Sequence, residues 1–121
     1  FKDKGHEIID LGRFSDERVD YPDFAHLVSR EVLTHEGTQG ILICGSGIGM
    51  SLAANRHAGI RAALCHDAYT AQMARAHNDA NILCFGQRIV GLGVIESMLD
   101  AWCKTPFEGG RHGCRVAKIE V

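Results

Sequence analysis

The densest chemistry in the chain lies in the run Ile41-Leu42-Ile43-Cys44-Gly45-Ser46-Gly47-Ile48-Gly49-Met50-Ser51. An apolar stretch gives way to alternating glycines and then to a helix-like segment, an arrangement that turns successive backbone N–H groups towards an anion. The dinucleotide fingerprint would need glycine where Met50 stands, and a P-loop would need GxxxxGK[ST], so neither standard nucleotide motif is present. The plain alternative is that the three glycines only make a tight strand-to-helix turn. Cys44 weighs against it, because it ends the strand and faces the start of the next helix, where the dipole favours an anionic sulfur.

His77-Asn78-Asp79 follows a helix-like stretch and precedes a strand-like one. An imidazole in such a loop can reach a ligand and exchange protons near neutral pH, although a histidine ending a helix also serves as a simple dipole partner. Arg111 and Arg115 are four residues apart, so on a helix they share a face and repel unless an anion lies between them. That spacing suggests a phosphate clamp, to which Arg88, just beyond the apolar run ending at Phe85, could add a third contact. A solvated basic tail is the alternative. The remaining histidines, His6, His26, His35, His57, His66 and His112, show no metal spacing on a helix face and read as surface residues, with His112 held open because it stands next to Arg111 and three residues before Arg115.

The elements that must position these groups alternate. Short apolar runs at Glu7 to Leu11, Ile41 to Cys44, Ala62 to Cys65 and Ile82 to Phe85 predict strands. Helical spacing predicts helices from Pro22 to His35, where Phe24, Leu27, Val28 and Val32 share a face, and from Gly91 to Cys103, where Leu92, Ile95, Leu99 and Trp102 do. The alanine-rich segments Ile48 to Asn55 and Asp67 to His77 predict helices able to lie close to a sheet, and the tail from Gly109 to Val121 a short terminal helix. Strand starts at 41, 62 and 82 suit βα units rather than hairpins, so the expected fold is α/β, a parallel sheet with helices on both faces. Ligands then bind beyond the carboxyl ends of the strands.

Composition narrows the function classes. A chain of 121 residues with 45% hydrophobic and 23% charged residues is expected to form one domain, residues 1–121, with a real core. The net charge of -2 provides no global field for nucleic acid or an acidic membrane, and no apolar stretch approaches the ~20 residues of a bilayer span. A cytoplasmic location is expected. The five cysteines, Cys44, Cys65, Cys84, Cys103 and Cys114, are 21, 19, 19 and 11 apart without CxxC or Cys/His zinc spacing, so neither a disulfide framework nor a metal site is expected. Cys65 and Cys84 close strands without a glycine cradle and read as core or pocket wall.

Taken together these residues resemble the type B ribose-5-phosphate isomerase family, which also includes galactose-6-phosphate and allose-6-phosphate isomerases. The resemblance runs almost end to end. It rests on Asp20-Tyr21-Pro22, on Ile43 to Gly49 with Ala53-Ala54-Asn55, on Gly59-Ile60-Arg61-Ala62, on His77-Asn78-Asp79-Ala80-Asn81, and on Gly109-Gly110-Arg111-His112 with Arg115. It implies a Rossmann-like three-layer fold, interconversion of ribose 5-phosphate and ribulose 5-phosphate without metal or nucleotide, and a homodimer, or a tetramer built from it, with active sites at the subunit interface.

Residue by residue, the resemblance makes Cys44 the base that moves the proton between C1 and C2, where some members use a glutamate at the position of Met50. It gives Gly45, Gly47, Ile48 and Gly49 to the loop that donates N–H groups to the enediolate, and Ser46 to the sugar oxygens. His77 matches the ring-opening histidine, Asn78 a residue beside the same oxygens and Tyr21 a wall of the sugar pocket. Arg88, Arg111 and Arg115 match phosphate ligands, some reaching across the dimer. Family members also begin with a strand ending in an Asp-His pair, about 20 residues of strand and helix that would precede Phe1 and are expected in the complete protein. A six-carbon sugar phosphate is the alternative substrate within the family. A non-catalytic sugar-phosphate sensor is the alternative outside it, and a sensor would need neither Cys44 nor His77.

Overall fold

The computed structural model describes residues 20–120. In order, these form α1 (Tyr21–Thr34), β1 (Gly40–Cys44), α2 (Ile48–Ala54), β2 (Ala62–Leu64), α3 (Ala68–Ala76), β3 (Ile82–Gly86), α4 (Leu92–Lys104) and α5 (Arg111–Ile119). The strand expected at Glu7 to Leu11 lies outside the described residues.

All five residues of β3 are buried, and the strand occupies the middle of a parallel sheet in the order β1-β3-β2. An uninterrupted apolar run is what a strand covered on both faces requires. Its side chains alternate between two layers. Ile82 and Cys84 pack with Leu42, Ala25, Val32, Met50 and Ala54 on the side of α1 and α2. Leu83 and Phe85 pack with Ala71, Ala74, Met98 and Trp102 on the side of α3 and α4. The alanines of α2 and α3 let these helices approach the sheet, as the sequence suggests, and the α/β expectation holds. Register pairs Cys44 with Gly86 and Leu64 with Cys84, so the carboxyl ends of β1 and β3 finish together.

Two helix starts are set locally. Pro22 occupies the first turn of α1, where its missing N–H costs nothing. Asp67 accepts the Thr70 N–H at 2.7 Å to cap α3, and Thr70 Oγ1 takes the Asp67 N–H in return at 3.3 Å. The packing face of α4 keeps Ile95, Leu99 and Trp102 of the expected set and departs from it at the first turn. Leu92 is 72% exposed, whereas Met98 is fully buried beside Trp102. Gly91, Gly93 and Val94 beside Leu92 are exposed too, so the helical period in the first turn of α4 has no core to face. Among the described residues, no helix is long and apolar enough to cross a membrane.

Candidate active site

The carboxyl end of β1 delivers Cys44 into the glycine turn. Its Sγ accepts the backbone N–H of Gly47 at 3.1 Å. Gly47 has φ 82°, in the left-handed region, and a Cβ there would run into the Phe85 backbone and the Leu64 side chain, so only glycine lets the turn fold back over β3. Ser46 Oγ accepts the Ile48 N–H at 3.3 Å. The first α2 ladder bond runs from the Ser51 N–H to the Gly47 carbonyl, so the N–H groups of Gly49 and Met50 precede the ladder and have no partner within the helix.

The loop after β3 closes one side. Gln87 donates its N–H to the Cys44 carbonyl at 2.9 Å and Arg88 its N–H to that of Gly45 at 3.1 Å, which sets the Arg88 side chain beside Gly45. Tyr21 enters from α1, its hydroxyl packed over Gly49. Tyr21, Cys44, Gly45, Ser46, Gly49, Arg88 and Ile89 line an open cleft of about 370 Å³. One apolar wall, a sulfur held by an N–H donor, further backbone donors and a guanidinium suit a small anionic ligand that exchanges a proton. Gly47 and Ile48 shape the turn behind this wall.

His77, Asn78, Arg111 and Arg115 gather elsewhere. His77 is the C-cap of α3, and its loop feeds the amino end of β3, whereas Cys44 pairs with Gly86 at the other end. The two ends of a five-residue strand are roughly 13 Å apart at about 3.3 Å per residue. Helix α5 crosses the same amino end, with His112 against His77 and Glu120 bonded to Gly59 and Arg61 ahead of β2. One chain therefore brings Tyr21, Cys44, Ser46, the glycines and Arg88 together and holds His77, Asn78, Arg111 and Arg115 as a second group. The three arginines read as one clamp are divided in the same way.

The second group contains an arrangement that residue spacing does not reveal. The imidazoles of His77 and His112 stack with centroids 4.1 Å apart and planes 11° from parallel. Both Nε2 atoms approach Glu108 Oε1, at 3.7 Å from His77 and 3.5 Å from His112. His77, Glu108 and His112 thus place three potential ligand atoms within 4.8 Å of one another, although no metal site was expected from spacing. Near-parallel rings direct their in-plane lone pairs side by side rather than to a common point, so this stack is not organised around a cation. His112, the histidine held open in the sequence, is buried. Burial, then the charges of His77 and Arg111, push its pKa below the usual histidine value, against a smaller opposing pull from Glu108.

Cys65 and Cys84 are core residues, as expected. Burial raises the Cys65 thiol and pushes Cys84 up to about 12, so neither offers a thiolate near neutral pH. His26 and His57 are also not simple surface residues, since His26 Nδ1 and His57 Nε2 lie 2.6 Å apart. Glu108, Ile89 and Arg61 are the site neighbours that the sequence reading leaves without a role. Glu108 is four residues before His112, a detectable helical spacing, and Arg61 stands inside a motif that carries the resemblance.

Comparison with known proteins shows the family and the fold. Residues 1–119 match the profile of the Ribose/Galactose Isomerase family. Ribose-5-phosphate isomerase B of Escherichia coli (strain K12) is 50% identical over 117 residues, covering 97% of this chain and 78% of that protein. The structure of Ribose-5-Phosphate Isomerase B from Clostridium thermocellum superposes with a TM-score of 0.94 at 51% identity, over 98% of this chain and 80% of that one. A ribose 5-phosphate isomerase from Thermotoga maritima gives 0.92 at 49% identity, over 98% and 82%. An α/β fold with a glycine-cradled thiol at a strand's carboxyl end is here that of an isomerase. The chain belongs to the ribose/galactose isomerase family and is a homologue of type B ribose-5-phosphate isomerase.

Proposed function

We propose that the protein interconverts ribose 5-phosphate and ribulose 5-phosphate as a homodimer, the Cys44 group of each copy being completed by the His77 group of the other. His77 serves the proton transfer that opens the sugar ring. Cys44 Sγ then takes the proton from C2 and returns it to C1, while a proton passes from the C2 oxygen to the C1 oxygen. The negative charge that develops on oxygen meets the N–H groups of the Gly45 to Gly49 turn, donors fixed in place before the reaction. Ser46 and Asn78 hold sugar hydroxyls, Tyr21 lines the pocket, and Arg88, Arg111 and Arg115 bind the phosphate.

The observation that carries this reading is the Gly47 N–H donated to Cys44 Sγ at 3.1 Å, which holds the sulfur against the glycine turn at the cleft. The division of site residues between the two ends of the sheet supports a site shared by two copies. So do the exposed Ile48, Leu52, Ile89 and Leu92 of α2 and the β3-to-α4 segment, apolar area that a second copy would cover.

The test is ribose 5-phosphate turnover by the purified protein and by Cys44→Ala. Loss of a general base should lower kcat by about 10² to 10⁴-fold. Sugar-phosphate binding should remain within a few-fold, because the base acts in the transition state. Substantial turnover by Cys44→Ala would overturn the assignment.

A further inference from the structure

The motif Gly59-Ile60-Arg61-Ala62 has no part in the chemistry above, yet its arginine joins the two segments that carry the second group of site residues. The Arg61 side chain is only 17% exposed. Its Nε donates to the Asp79 carbonyl at 2.9 Å, and NH2 stands 3.5 Å from Asp79 Oδ2. Its NH1 meets Glu120 Oε1 at 2.6 Å, and Glu120 Oε2 accepts the Gly59 N–H at 3.0 Å. The Arg61 backbone N–H bonds Asn81 Oδ1 at 2.8 Å. One guanidinium thus grips the His77-Asn78-Asp79 loop on one side and the end of α5 on the other.

The loop needs that grip. Asp79 has φ 47°, a left-handed conformation that a non-glycine residue adopts at a cost, and surrounding contacts must hold it there. Arg75 contributes, donating from NH1 to Asp79 Oδ1 at 3.2 Å and to the Ala80 carbonyl at 2.6 Å. Arg75 otherwise lies over the Trp102 ring of α4, 5.6 Å from its centroid, rather than against α5. Arg61 ties the loop to the far end of the helix bearing Arg111 and Arg115, whose near end meets the loop through the His77–His112 stack. Lysine would not substitute, because a point charge cannot serve a carbonyl and two carboxylates in the plane of a fork.

We infer that Arg61 is a positioning residue, fixing His77 and Asn78 relative to Arg111 and Arg115 so that ring opening and phosphate binding address one substrate. The inference rests on the proposed roles of His77 and the α5 arginines. Misplacing a catalytic group by about 1 Å costs on the order of 10²-fold in rate, so Arg61→Gln should lower kcat for ribose 5-phosphate by about 10- to 100-fold. Arg61→Lys should recover little of it. Because Arg61 acts through His77, adding Arg61→Gln to His77→Ala should lower kcat by no more than about twofold beyond His77→Ala alone. Glu120→Gln releases only α5 at an accessible position, and should raise KM several-fold with kcat nearly unchanged.

The experiment measures kcat, KM and melting temperature for the full protein and for Arg61→Gln, Arg61→Lys, His77→Ala, the Arg61→Gln/His77→Ala double variant and Glu120→Gln. A kcat loss in Arg61→Gln that vanishes in the His77→Ala background, with a rise in KM in both Arg61→Gln and Glu120→Gln, is the expected result. Additive kcat losses, or an Arg61→Gln loss matching only the fraction unfolded, would overturn the inference. If Arg61→Gln does not fold, Glu120→Gln with an unchanged KM overturns it instead. Wild-type turnover by His77→Ala overturns the underlying role of His77, whereas impaired His77→Ala beside unimpaired Arg61→Gln overturns the inference alone.

Discussion

His112 lies flat on His77, with ring centroids 4.1 Å apart, and this places a buried imidazole one residue from Arg111 and directly against a proposed proton-transfer group. Protonating His112 would add charge beside both. Its pKa is lowered by burial first, and that of His57 is lowered by burial first and then by His26 and Arg30. A folded pKa below the unfolded value of about 6.5 means that the unfolded chain binds more protons between the two values. The stability from keeping these histidines neutral is therefore present above pH ~6.5 and lost as pH falls towards the depressed folded values. Melting temperature should decline from pH 7.5 to pH 5.5, and less steeply in His57→Gln/His112→Gln. Equal slopes in the two proteins would contradict this.

Tyr21 and Gly49 are packed so closely that a Cβ on Gly49 overlaps the tyrosine hydroxyl. Gly49→Ala should displace Tyr21 from the cleft, lowering kcat/KM by about 10-fold or more, with a modest stability change of the 1–3 kcal/mol typical of overpacking. Steady-state kinetics and thermal melting separate the two effects. Wild-type kcat/KM would show that Tyr21 has no part in the pocket.

Iodoacetamide should divide the cysteines according to burial. Cys65 and Cys84 lie in the core with raised pKa values and should stay unmodified in the native protein at pH 8, whereas Cys44, at the cleft, should react with loss of turnover. Substrate should slow that loss. Peptide mass spectrometry after timed quenching gives the answer, and early labelling of Cys84 would contradict the description of the core.

The sheet was legible because its signals are local. The Ile82 to Phe85 run marks a strand covered on both faces, and the spacing of strand starts marks βα units. Cys44 was legible because a thiol entering a glycine turn has few structural explanations. The separation of His77 from Cys44 follows from winding, since a helix-to-strand loop in a parallel sheet lies at the amino ends, but recognising a reactive residue type does not say which end it occupies. The exposure of Leu92 was hidden because helical periodicity gives a face and not how far along it the core extends. The Arg61 network joins residues 18 and 59 positions away, to Asp79 and Glu120, which no spacing rule relates.

The central claim is that each site is built from the Cys44 group of one copy and the His77 group of another. The direct measurement mixes two strongly impaired proteins, Cys44→Ala and His77→Ala, under conditions that exchange subunits, and follows ribose 5-phosphate turnover. In a symmetric dimer a mixed pair holds one intact site and one doubly defective site, so random exchange should restore about one quarter of wild-type activity. Recovery to that level is the predicted result. Efficient exchange with no recovered turnover would contradict a site shared between subunits.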